Sequence, residues 1–181
     1  KGVANGGGQV GRNLMDALGA DMGGYIPALK GRPKYNEDGY ASNHLYIPWW
    51  DNEGQKDGSL NFTSGYHFEV GGGFGAPGMG VASRVDGYGK RAKDEVRDLY
   101  GTGIGLSLRG EMVQSDNCYC EIDEEVKDKW GIPVLKFHWK WSEQELNQVA
   151  HGLEWGKKII EAMGGIVNNP DATPQQAIKA G

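Results

Sequence analysis

GIGLSLRGEMVQSDNCYCEIDEEVKDKWGIPVLKFHW, the run from Gly103 to Trp139, decides how this chain folds. Ile104, Leu106, Leu108 and Met112 fall on one side of an extended backbone and Ser107, Arg109 and Glu111 on the other, the alternation of a half-buried strand. Ser115-Asp116-Asn117 is a turn signal, because short polar side chains bond to their own backbone there, and it leads into a second strand at Cys118 to Asp123. A third strand follows the acidic linker, with Leu135, Phe137, Trp139 and Trp141 opposite Lys136, His138 and Lys140.

Immediately afterwards the period changes from two to 3.6. Ser142 and Glu145 form a capping box at the head of the clearest helix in the chain. Leu146, Val149, Ala150, Leu153, Ile160 and Met163 recur at helical spacing, Lys157 and Lys158 suit the negative end of the dipole, and Gly164-Gly165 stops it. The Trp139 and Trp141 face is expected to receive this helix, with His151 in a structural role. Upstream, Arg84 to Tyr100 is a charged helix stopped by Gly101. From Leu60 to Val70, Leu60, Phe62, Ser64, Tyr66 and Phe68 alternate with Asn61, Thr63, Gly65, His67 and Glu69, as in a strand with one wet face.

Further out, His44 to Trp50 reads as an edge strand, because Pro48 cannot donate to a ladder. Asp51 to Ser59 is a polar connection, Gly23 to Tyr40 a loop, Val10 to Leu18 a short helix, and Pro170 to Gly181 the start of another. The fold class is α+β, a mostly antiparallel β-sheet with helices packed on one face.

A chain of 181 residues suits one domain with a full core. Its net charge of -5, with no basic cluster denser than Lys90 to Lys93, offers no footprint for nucleic acid. No apolar run approaches the roughly 20 residues of a membrane span. Starting at Lys1 and stopping inside a polar segment, the chain is expected to be one piece of a longer protein, cytoplasmic or periplasmic. Cys118 and Cys120 share one side of a strand, too close for an unstrained disulfide and without partner ligands for a metal. The 31 glycines gather at Gly6 to Gly11, Gly71 to Gly80 and Gly101 to Gly110, which suits either close approach of a flat ligand or tight segment packing.

Gly6 to Gly11 matches G-x-G-x-x-G, but only Lys1 to Asn5 precede it, so the buried strand of a dinucleotide motif is missing. The polar sheet face gathers Thr63, His67, Glu69, Ser107, Arg109, Glu111, Lys136 and His138, either as a pocket for a hydroxylated ligand or as a solvated surface. Trp49 and Trp50 read equally as core or as stacking platforms. No nucleophile and base pair is evident, so no catalytic residue is assigned.

Three ordered blocks carry a resemblance. ANGGGQVGRNLMD at Ala4 to Asp16, GYHFEVGGGFG at Gly65 to Gly75 and GEMVQSDNCYCEIDEEVKDKWGIPVLKFHW at Gly110 to Trp139 resemble segments of the glucose-methanol-choline (GMC) oxidoreductases, closest to the bacterial sugar and sugar-acid dehydrogenases. Gly6 to Gly8 replaces the more usual serines, and Ala17 stands where a histidine commonly follows Asp16. The resemblance implies an FAD enzyme that oxidises an alcohol by hydride transfer to the flavin, with its catalytic histidine outside this chain. It divides the chain into residues 1–20, leading out of the FAD domain, 21–170, the substrate-binding domain, and 171–181, the start of a C-terminal segment. Tyr66, His67, Glu69, Arg109 and Glu111 become candidates for the substrate wall, and Gly11 and Asn13 for the neighbourhood of the cofactor. The implied partners are a small alcohol or sugar and the remaining FAD-binding and C-terminal segments, and this piece alone is expected to bind little flavin. The alternatives are a free-standing carbohydrate-binding module and a scaffold domain that keeps the fold without chemistry.

Overall fold

A computed structural model of the chain describes residues 3–32, 45–72 and 85–179. Its strands are β1 (Ala17–Tyr25), β2 (Leu45–Ile47), β3 (Tyr66–Gly72), β4 (Gly103–Glu111), β5 (Tyr119–Lys127), β6 (Pro133–His138), β7 (Ile166–Val167) and β8 (Ile178–Lys179). Its helices are α1 (Asn52–Asp57), α2 (Gly89–Leu99), α3 (Glu143–Ala162) and α4 (Pro174–Ala177), with a 3-10 turn at Pro27–Leu29. The main sheet runs β2-β3-β4-β1-β7, β8 also pairs with β1, and β5-β6 forms a separate two-stranded ribbon. Every pairing is antiparallel. The α+β class read from the sequence is the class observed.

One sheet face and α3 make the core. Leu18 and Ala20 of β1, Leu106 and Leu108 of β4, and Tyr66 and Phe68 of β3 are buried together with Val149 and Ile160 of α3. The helix lies so close that a Cβ on Gly152 would fall 1.9 Å from Leu108 Cδ1. The capping box forms as read: Glu145, wholly buried, accepts from the Ser142 amide at 2.7 Å and from the Val113 amide at 3.0 Å. It thus caps the helix and ties it to the end of β4. Burial works against the Glu145 charge, but the hydrogen bonds from Ser142 and Val113 outweigh it and its pKa is lowered.

Several expectations are corrected. Residues 10–18 are turns followed by β1, not a helix, because Leu18, Ala20 and Met22 alternate into the core and β4 supplies the ladder. The loop expected from Gly23 therefore overlaps the last three residues of that strand, and position 20 lies inside β1. Its 33–40 portion, with His44, Arg84 and the glycines from Gly73 to Gly80, lies outside the described residues. The strand expected from Leu60 starts at Tyr66, and the polar connection at Asp51 contains α1, capped by the Asp51 carboxylate on the Gly54 amide. Residues 170–179 form only the short α4 before turning into β8.

The largest correction concerns the third strand. β4 pairs with β1 and β3, not with the ribbon, so Lys136 and His138 are absent from the polar sheet face. Leu135 and Phe137 do not receive α3 either, and both are exposed, while Trp141 reaches the edge of the core. Alternation identified the strands correctly, but pairing is a long-range choice that alternation leaves open.

Candidate functional site

The face of the main sheet turned away from α3 is built of three cross-strand rows. Antiparallel register places Asp21, Ser107, Glu69 and Tyr46 side by side on β1, β4, β3 and β2. The adjacent row is Lys179, Gly19, Arg109 and His67. The row on the other side is Gly23, Gly105 and Gly71, three glycines abreast. Odd positions on β1, β3 and β4 point this way because even positions there carry the core, and on β2 the parity is reversed, with Tyr46 on this face and Ile47 on the core side.

A cavity of about 390 Å³ opens here, with Asp21, Glu69, Ser107 and Arg109 at its sides and Gly23, Gly71 and Gly105 beneath. Among the described residues, a Cβ on Gly71 would meet nothing within 4 Å, and one on Gly105 nothing nearer than Gly71 O at 3.8 Å. Neither residue has positive φ. Neither packing nor backbone conformation therefore requires glycine at these two positions, where a β-branched residue would favour the strand. Bare backbone beneath an open cavity admits a flat group to van der Waals contact with the sheet.

The charges around the floor are tied to one another. Arg109 Nε donates to Glu69 Oε2 at 3.3 Å, and His67 Nε2 lies 3.9 Å from Glu69 Oε1. Asp21 accepts from Lys179 and from the Ser107 hydroxyl, and these two bonds hold its carboxyl below the usual range. His67 Nε2 is buried with no hydrogen-bond partner among the described residues, so a donor or acceptor is left over beside the cavity.

The structure brings Glu69 and Arg109 together at the cavity. His67 and Glu111 share its face but lie outside the lining. Tyr66 is on the opposite face: it is buried, and its hydroxyl meets His151 Nδ1 at 2.8 Å. Trp155 Nε1 donates to His151 Nε2 at 3.0 Å, and since indole only donates, Nε2 must accept and Nδ1 carries the proton toward Tyr66. His151 is thus held neutral; burial lowers its pKa and raises that of Tyr66. Gly11 and Asn13 both have positive φ and sit away from the cavity: Gly11 O accepts from Cys120 N at 2.7 Å, and Asn13 Nδ2 donates to Gln9.

Asp21 and Lys179 went unread in the sequence. The signal for Asp21 was present as Leu18, Ala20 and Met22 at period two, but glycines at 19, 23 and 24 dilute it. Lys179 had no local signal, since β8 contributes two residues and owes its place to β1. Among the described residues no three His, Cys, Asp or Glu side chains converge as a metal site requires. No described helix is long and apolar enough to cross a membrane.

No protein-family profile matches the chain. It is similar to a 2-methyl-1,2-propanediol dehydrogenase of Mycolicibacterium austroafricanum, 23% identical over 180 aligned positions. That alignment takes in 93% of this chain but spans only 30% of the dehydrogenase. Nearly the whole chain is therefore similar to part of an oxidoreductase.

Proposed function

We propose that this chain is the substrate-binding portion of an FAD-dependent oxidoreductase of the GMC type, acting on an alcohol group of a sugar or related polyol. The observation that carries the proposal is the glycine-floored cavity with paired charges at its sides. Its open backbone floor at Gly71 and Gly105 fits the flat face of a ring such as isoalloxazine. When bound, flavin would supply the hydride acceptor that no side chain can provide. The chain's own groups do the rest. Glu69, Arg109, Asp21 and Ser107 offer both donors and acceptors to neighbouring hydroxyls, as a diol of the kind named for the similar dehydrogenase would need. Tyr66, from the other face, supports the sheet through His151 rather than touching substrate.

Gly11 would act on a cofactor only indirectly, by holding the N-terminal segment against the ribbon, and Asn13 by bracing that segment internally through Gln9. A free-standing carbohydrate module would stack sugars on Trp49 and Trp50. Those rings are instead committed to a cluster with Tyr66, Phe68 and Trp155. The test is the full encoded polypeptide: its flavin spectrum should bleach anaerobically on adding a polyol. Glu69→Gln and Arg109→Ala should each lower kcat/KM by about 10- to 100-fold, as for loss of a charge-assisted hydrogen bond. A polypeptide without flavin, or one indifferent to both substitutions, would defeat the reading.

A further inference from the structure

The β5-β6 ribbon leaves an apolar side uncovered. Cys120 pairs with Phe137 and Ile122 with Leu135, so all four share one face. Ile122, Leu135 and Phe137 are 61%, 56% and 60% exposed, and Trp130 and Ile132 at the turn are 73% and 60% exposed. At its base the strip runs into a cavity of about 290 Å³ lined by Leu14, Met15, Asp16, Phe137 and Trp139. Trp139 Nε1 is buried there without a hydrogen-bond partner among the described residues.

The ribbon's other side needs no cover. Arg12 lies 4.6 Å over the Tyr119 ring, Tyr119 stacks on His138 at 4.1 Å, and His138 Nε2 is 2.9 Å from Glu121. A two-stranded ribbon is at best marginally stable in water alone, so an uncovered apolar side leaves it short of packing partners.

We propose that this strip is the seat of a further domain of the same polypeptide, one that presents an apolar patch. Two observations select that occupant. More than two thirds of the similar dehydrogenase lies outside the match, so a protein of that kind carries other domains. The exposed side chains of Ile122, Leu135 and Phe137 amount to roughly 350 Å², well short of the about 800 Å² per partner of a standard protein–protein interface but workable between tethered domains. Tethering supplies by effective concentration what the area lacks. The strip also continues onto the segment leading into β1, held on the ribbon by Leu14 N to Cys118 O at 2.9 Å and Cys120 N to Gly11 O. The proposal rests on the reading of this chain as part of a larger polypeptide, but not on the chemistry at the polar sheet face, which the labelling does not report.

The experiment compares the 181-residue chain with the full encoded polypeptide by hydroxyl-radical footprinting, with solution mass measured in parallel. The 181-residue chain should be monomeric and label strongly at Phe137 and Leu135. In the full polypeptide that labelling should fall about sixfold, the change from 60% exposed to about one tenth. Leu135→Ser with Phe137→Ser should restore labelling at Trp130 and Ile122 in the full polypeptide. If that variant fails to fold, the wild-type comparison still decides. Equal labelling in the two wild-type proteins overturns the proposal. So does a dimeric 181-residue chain protected on this strip, which would make a second copy the occupant, or an encoded polypeptide with no further domain.

Discussion

Replacing Gly105 by alanine separates what the sheet needs from what a ligand needs. Gly105 pairs with Gly23 on one side and Gly71 on the other, in ordinary extended backbone. Among the described residues the added methyl would have Gly71 O at 3.8 Å as its nearest neighbour, so none of them has to move. With no clash, relief of glycine's excess unfolded-state entropy should stabilise the chain by about 0.5–1 kcal/mol. For a chain of this length that raises Tm by about 1–4 °C. A flat ligand resting on the floor would meet the same methyl as an overlap. A misfit of that kind costs about 1–3 kcal/mol, which is about 5- to 150-fold in affinity. Calorimetry or thermal circular dichroism on the chain reads the first effect, and titration of the full polypeptide with flavin and with substrate reads the second. A raised Tm with flavin and substrate affinity both unchanged would show that no ligand lies on this floor. A lowered Tm would show that the space above Gly105 is already filled, and the reasoning from the open floor would fail.

Gly152→Ala should do the reverse. The usual helical gain of about 1 kcal/mol is overwhelmed by the 1.9 Å approach to Leu108, and chemical denaturation should show a net loss of about 1–2 kcal/mol. Glu145→Ala should cost about 2–3 kcal/mol in the same assay, since it strips the cap from α3 and leaves the Val113 amide unpaired. Because the folded pKa of Glu145 is lowered, its contribution is full above the ordinary value of 4.5 and is lost as pH falls below it, a loss that Glu145→Gln should flatten. His151 acts in the same direction at higher pH. Its lowered folded pKa means the unfolded state takes up a proton first, so stability should decline as pH falls below 6.5, and His151→Gln should remove that limb of the profile.

Residues between Gly103 and Ala162 were largely legible. The alternation at Ile104, Leu106 and Leu108 and the capping box at Ser142 are local signals, and both elements form where those signals lie. At the candidate site, Glu69 and Arg109 were read on one polar face and lie there together, 3.3 Å apart. Tyr66 was grouped with them, yet its parity on β3 puts it with Phe68 in the core.

Chain-local physics therefore specified the strands, the capped helix and the two-sided character of the sheet, because side-chain period and end-capping involve residues only a few positions apart. The tertiary structure alone chose β1 and β3 as the neighbours of β4, set three glycines abreast, brought Asp21 to Lys179 across 158 positions and left the ribbon's apolar side open. Those outcomes depend on which backbone edges close against each other, and strand pairing is decided by burial summed over the whole sheet rather than by any single stretch of sequence.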